Sequence, residues 1–219
     1  MNIQTARYLE QKTVWPTDGR YILAQYDQSS VVVYQAYRLS IGEYAVQHQR
    51  FGGDFGFNRM SWIKPNFLWM MYRSGWGTKL GQEITLAIRL RRDFFESVLA
   101  AAVSSSYDPD LYSTKEVWKE SISKSLVRLQ WDPDHAPSGA REERRAIQLG
   151  LRGAMLREYG RNAIVEIIDL SEFVASQRTH VESKDYGQLV LPIEQVYVPS
   201  DPSVVARLKL STTVESERA

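Results

Sequence analysis

Ile84, Leu86, Ile88 and Leu90 alternate with Thr85, Ala87 and Arg89. A two-residue repeat places the four aliphatic side chains on one side of an extended chain. The spacing predicts a half-buried strand over Glu83–Leu90, and such a strand needs partners. Arg20–Tyr26 reads as a strand, Asp27-Gln28-Ser29-Ser30 as a turn, and Ser30–Tyr37 as a second strand rich in β-branched and aromatic residues. Together they predict an N-terminal hairpin.

Helical patterns are interleaved with the strands. Ile41, Tyr44, Ala45 and His48 share one helical face. Pro65 suits the first position of a helix over Asn66–Arg73, which Gly75 and Gly77 would end. Asp93 with Glu96 predicts an N-terminal cap for a helix over 94–103. Thr114–Lys124 reads as a helix and Leu126–Gln130 as a strand. Trp131–Gly139 reads as a loop, because its two prolines interrupt pairing. Arg141–Glu158 is expected to be the longest helix. Ala163–Ile168 is a further strand, Ser171–Gln177 a short helix, and Leu189–Val198 a last strand broken by Pro192. Interleaving that opens on a hairpin predicts a single α+β domain, with a mixed or antiparallel sheet, whole or split, and flanking helices. The domain is expected over residues 1–200, and 201–219 as a polar, frayed tail.

A chain of 219 residues can bury one substantial core. The 27 basic and 26 acidic side chains nearly cancel, which argues against coating long nucleic acid but leaves room for a local basic patch. No cysteine is present, which excludes disulfides, thiolate nucleophiles, iron–sulfur clusters and cysteine-held zinc. No apolar run has the length of a membrane span, and the N-terminus lacks the apolar core of a signal peptide. A cytoplasmic, non-membrane protein is expected. Its oligomeric state is open.

The chemistry concentrates between Arg59 and Glu83. Trp62, Trp69 and Trp76 stand seven residues apart, with Arg59, Lys64 and Arg73 among them. Cations in apolar surroundings need an anionic partner, and aromatic surface beside cations suits a planar anion such as a nucleotide. Arg59, Lys64, Tyr72, Arg73, Ser74 and Trp76 are the residues expected to hold it. The competing reading makes the rings core and lets the cations snorkel to the surface. On the expected long helix, Arg141, Arg145, Gln148 and Arg152 would share a face with Arg144 beside them. That face is either a solvated basic surface or a phosphate-binding stripe. With His135, Arg144, Arg145 and Arg152 form the expected phosphate or substrate set. Asp132, Asp134 and His135 could serve a divalent cation, although aspartates pairing with Arg144 or Arg145 is the better use, and no metal is expected. Gly52-Gly53 and Gly56 lack the strand-then-helix context of a phosphate cradle.

Four strings, 31–37, 59–76, 127–135 and 144–153, closely resemble the family called domain of unknown function 4291. A looser similarity is to the ADP-ribosyltransferase superfamily. That resemblance implies an NAD-binding cleft in a split, mixed sheet, with Tyr34 as the aromatic residue on an early strand and Glu83 as the glutamate opening a later one. The first expectation is therefore an NAD-using transferase, with Glu83 and Tyr34 as its catalytic pair and an acceptor that could be nucleic acid. The second is a non-enzymatic module that binds a nucleotide or nucleic acid. The third is a metal-dependent hydrolase at Asp132, Asp134 and His135.

Overall fold

A computed structural model describes residues 3–211. The chain begins with β1 (Thr5–Arg7), α1 (Tyr8–Val14), β2 (Ile22–Ala24), β3 (Ser30–Tyr37) and α2 (Leu39–His48). It continues through β4 (Ser61–Ile63), α3 (Phe67–Ser74), β5 (Ile84–Arg91), α4 (Arg92–Ala101), β6 (Ala102–Ser104) and α5 (Lys115–Lys124). Next come β7 (Val127–His135), β8 (Arg141–Leu151), α6 (Gly153–Arg161), β9 (Ile164–Asp169) and α7 (Ser171–Glu182). The last described elements are β10 (Val190–Pro192), β11 (Gln195–Tyr197) and α8 (Pro202–Leu208). This is the expected α+β domain.

One sheet has the order β3-β5-β9 and is antiparallel throughout. The expected strand at 84–90 is its centre, but it is not half-buried. Residues 85–90 are all buried. Leu86, Ile88 and Leu90 enter one apolar core with α2 and α4, while Ala87 enters a second with α3 and α7. Helices on both sides leave this strand no solvent face, so its alternation separates two cores rather than core from water.

The other large sheet has the order β4-β8-β7-β6, with only β6–β7 parallel. Here the sequence reading fails most clearly. Arg141–Glu158 is not one helix: Arg141–Leu151 is the long strand β8, and α6 starts only at Gly153. Ile147, Leu149 and Leu151 alternate with Gln148 and Gly150, and their burial against β7 overrides the helix-forming glutamates and arginines. Trp131–His135 is not loop either, because β7 runs through Pro133. Proline is tolerated there because β6 pairs only with Val127–Leu129, and the register slips between Pro133 and His135.

The N-terminal hairpin survives as a turn. Asp27 Oδ1 accepts the Ser29 and Ser30 N–H groups at 2.8 and 2.7 Å. Beyond it the arms part, because β2 pairs with β11 rather than along β3. Pro65 is not the first residue of α3, which begins at Phe67 with Asn66 as its cap, the Asn66 side chain accepting the Trp69 N–H at 2.7 Å. Asp93 accepts the Phe94 N–H, but Glu96 turns away to Tyr197 and Ser200 instead of closing a capping box. Part of the expected tail is folded: α8 seats Val204 and Leu208 in the first core. Residues 212–219 of that tail lie outside the described ones. The two large sheets meet where Tyr34 and Lys64 exchange backbone hydrogen bonds of 2.7 and 3.3 Å. Helix α3 starts three residues after that junction.

Candidate functional site

The face of β4, β8 and β7 turned away from the core is polar. Directly paired residues share a face, so Trp62, Gly150 and Arg128 form one row and Gln148 and Gln130 the next. Asp132 follows on the same side. Its carboxylate accepts hydrogen bonds from the Gln130 and Gln148 amides at 2.8 and 2.7 Å. Gly150 lets the Trp62 indole lie against the strand: a Cβ there would stand 3.0 Å from that ring and 2.6 Å from Met60 Sδ.

Lys64 lies two residues beyond Trp62 and is only 6% exposed. Its ammonium has no hydrogen bond or ion pair among the described residues. Burial, reinforced by Arg73 and opposed by Asp132, brings its pKa down to about 8. Asp132, whose two carboxylate oxygens also accept glutamine amides, offsets the burial only in part.

Helix α3 brings the aromatic side. Tyr72 stacks on the His135 ring at 3.5 Å, and His135 is nearly parallel to Trp69 at 5.1 Å. Tyr72 is 41% exposed, whereas His135 and Trp69 are buried. Burial lowers the His135 pKa, against the pull of Asp134, and so favours the neutral ring. His135 Nδ1 and Trp69 Nε1 are shielded from solvent and have no hydrogen-bond partner among the described residues. Two unpaired polar atoms in one stack are costly.

The helix is held by distant residues. Glu194 Oε1 accepts the Phe67 N–H at 2.6 Å and its Oε2 accepts the Asn66 amide at 3.1 Å. Burial drives the Glu194 carboxyl well above the ordinary carboxylate range. Beside it, Arg144 pairs with Asp134 at 2.6 Å, donates to the Pro16 carbonyl at 3.2 Å, and lies 5.3 Å from the Trp15 ring. Burial pushes the Asp134 carboxyl up, and Arg144 with the His135 N–H pulls the other way.

Of the residues singled out by sequence, Lys64, Tyr72, Arg73 and His135 are brought to this region. The others are placed elsewhere. Tyr34 is completely buried and meets Phe67 edge-on at 5.3 Å, so it cannot stack on a ligand. Glu83 is exposed and accepts the Gly81 N–H of its own loop at 2.7 Å. Trp76 is buried, donating its indole N–H to the Pro137 carbonyl at 3.2 Å. Ser74 is buried and accepts the Gly77 N–H at 3.2 Å. Arg59 is exposed in the loop before β4. The expected arginine stripe dissolves with its helix. Arg144 is locked to Asp134, Arg145 falls on the opposite strand face, and Arg152 is tied to the carbonyls of Ser123 and Ser125. The aspartate–arginine pairing expected from the sequence is present in the form Asp134–Arg144. Two of the three tryptophans are core, as the competing reading held. Gln130 and Glu194 were missed, and Gln148 was assigned to the arginine stripe rather than to Asp132. Gln130 ends a segment correctly read as a strand, with Arg128, Gln130 and Asp132 at every second position of β7 as its signal, whereas Gln148 lies on the strand misread as a helix.

A model of the family described as Domain of unknown function (DUF4291) matches residues 21–197. The chain belongs to this family. The DUF4291 match spans β2 to β11 and so includes the whole polar face, α3 and Glu194. It leaves out Trp15 and Pro16, which hold Arg144 in this DUF4291 chain. A search of the curated proteins found no match. Among the described residues, no helix is long and apolar enough to cross a membrane.

Proposed function

We propose that the chain binds a phosphate-bearing nucleotide on the face between α3 and strands β7 and β8. Lys64 and Arg73 would meet the phosphates, and Tyr72 and Trp62 would offer ring surface to the base. The carrying observation is Lys64, a buried cation beside a second cation, with only a partial answer from Asp132. A phosphate supplies an anion for that charge and offsets the cost of burying it. His135 Nδ1 and Trp69 Nε1 add unused hydrogen-bonding capacity.

NAD is the first nucleotide to test, since an NAD-using transferase is the activity implied by the looser family similarity. Glu83 is not placed to serve it. Asp132 is the better candidate for the carboxylate that orients a ribose, because two amides fix its position on the face. This observation supports the transferase as a second reading. A nucleic-acid acceptor loses its arginine stripe, since Arg144 and Arg152 are engaged within the fold. A metal-dependent hydrolase draws little support from an Asp134 already committed to Arg144.

Calorimetry of the full chain with NAD tests the binding reading. Binding is expected, and Lys64→Met or Arg73→Gln should weaken it by about tenfold or more. No heat, or equal affinity in both variants, removes the proposal. Nicotinamide release that disappears in Asp132→Asn would establish the transferase, and no release by the unmodified chain would end it.

A further inference from the structure

A second hollow lies on another part of the molecule. It has a volume of about 510 Å³ and is lined by Tyr44, Arg50, the Phe51–Gly53 loop, Phe55, Phe57 and the Arg161–Asn162 end of α6. Three glycines allow its walls to close up. A Cβ on Gly52 would stand 2.6 Å from the Tyr44 ring, and one on Gly160 would stand 2.7 Å from the Phe57 ring. Gly53 has a φ of +55°, which disfavours most side chains. The floor is anchored in the first core: Phe51 stacks on Phe55 at 4.5 Å and on Tyr159 at 5.5 Å.

Two guanidinium groups border this hollow. Arg161 lies 5.2 Å from the Phe57 ring and has no acidic partner, and Arg50 has neither hydrogen bond nor ion pair among the described residues. The nearby carboxylates are occupied. Asp54 binds Arg38 and Ser40 at 3.0 and 2.9 Å, while Glu158 accepts the Asn162 amide at 2.7 Å and meets Arg91 at 3.7 Å. The hollow therefore carries two unneutralised positive charges over an aromatic surface.

We infer that this hollow is a second ligand site, for a phosphate monoester attached to a planar ring. The guanidinium forks of Arg50 and Arg161 grip the phosphate, and Tyr44 and Phe57 flank the ring. Both side chains are half-buried, so each offers part of its surface to a guest. The site shares no residue with the Lys64 face and does not depend on it.

Calorimetry of the full chain with AMP, ribose 5-phosphate and inorganic phosphate tests this. AMP is expected to bind more tightly than the other two. Arg50→Gln with Arg161→Gln should weaken that binding by about thirtyfold, and Lys64→Met should leave it in place. Arg50→Glu, at an exposed side chain with no hydrogen bond or ion pair among the described residues, should weaken AMP binding with no change in melting temperature. If AMP occupies both sites, the arginine variants should lower the stoichiometry from two to one. AMP binding whose affinity and stoichiometry are both unchanged in the arginine variants overturns the inference, whether or not Lys64→Met abolishes it. So does no AMP binding, or equal affinity for inorganic phosphate.

Discussion

Lys64→Met should make the protein more stable while removing its proposed ligand. The amine sits at about 8 in the folded chain against 10.5 for an ordinary lysine. Each pH unit of displacement corresponds to about 1.4 kcal/mol, so the folded, protonated state carries a cost of about 3 kcal/mol. The sign follows from the depressed value. Full stability is present above 10.5 and is lost as pH falls from 10.5 to about 8, the range in which the unfolded amine binds a proton that the buried one does not. Methionine fills similar space without that proton. Urea denaturation at pH 7 should therefore show Lys64→Met more stable than the parent by up to about 3 kcal/mol. The advantage should shrink as pH rises from 8 towards 10.5. The other lysines cancel in the comparison. Saturating NAD should close the gap from the other side, since ligand at about 100 times its Kd stabilises the parent by about 2.7 kcal/mol and the variant far less. A variant less stable than the parent at pH 7, or a gap indifferent to pH, would show that the ammonium already has an anionic partner.

Arg144→Met should cost about 3–5 kcal/mol by strand Asp134 in a dry site, whereas loss of a solvated helix-face arginine would cost about 0.5 kcal/mol or less. Denaturation at pH 7 separates the two, and adding Asp134→Asn should recover part of the loss. Glu194→Gln should flatten the pH dependence of stability. A buried carboxyl raised above 4.5 stabilises the fold below that pH and loses its contribution as pH rises, at up to about 1.4 kcal/mol per pH unit. Melts between pH 5 and pH 8 with the same slope in parent and variant would refute that role.

The elements legible in the sequence were those whose local pattern and tertiary environment agree. Ser30–Tyr37 and Ile84–Arg91 have β-branched or alternating residues and are strands. Thr114 caps the helix that follows it, with its side chain accepting the Val117 N–H at 3.2 Å. The second sheet was illegible because its local signals oppose its pairing. Arg141, Arg145, Gln148 and Arg152 happen to recur at helical spacing, and Pro133 resembles a break in a strand that is unpaired on one side there. That error removed half of the site, since Gln130, Asp132 and Gln148 converge only when both segments are strands. Lys64, Tyr72 and Arg73 were legible because aromatic and cationic residues alternate with apolar ones within a single short segment. Glu194 was not, because nothing near it in sequence indicates a partner 127 residues away.

The long reach from Glu194 to the start of α3 imposes an order of assembly. A chain emerging from the ribosome completes Phe67–Ser74 well before the carboxyl group that anchors its first turn has been made. Until that late segment folds back, the Phe67 amide has no Glu194 to bind, and the helix bearing Tyr72 and Arg73 lacks its seat. Competence for the proposed binding thus arrives only with the last strands, and a chain ending before residue 194 would retain the tryptophan-rich segment without the carboxyl group that seats its helix.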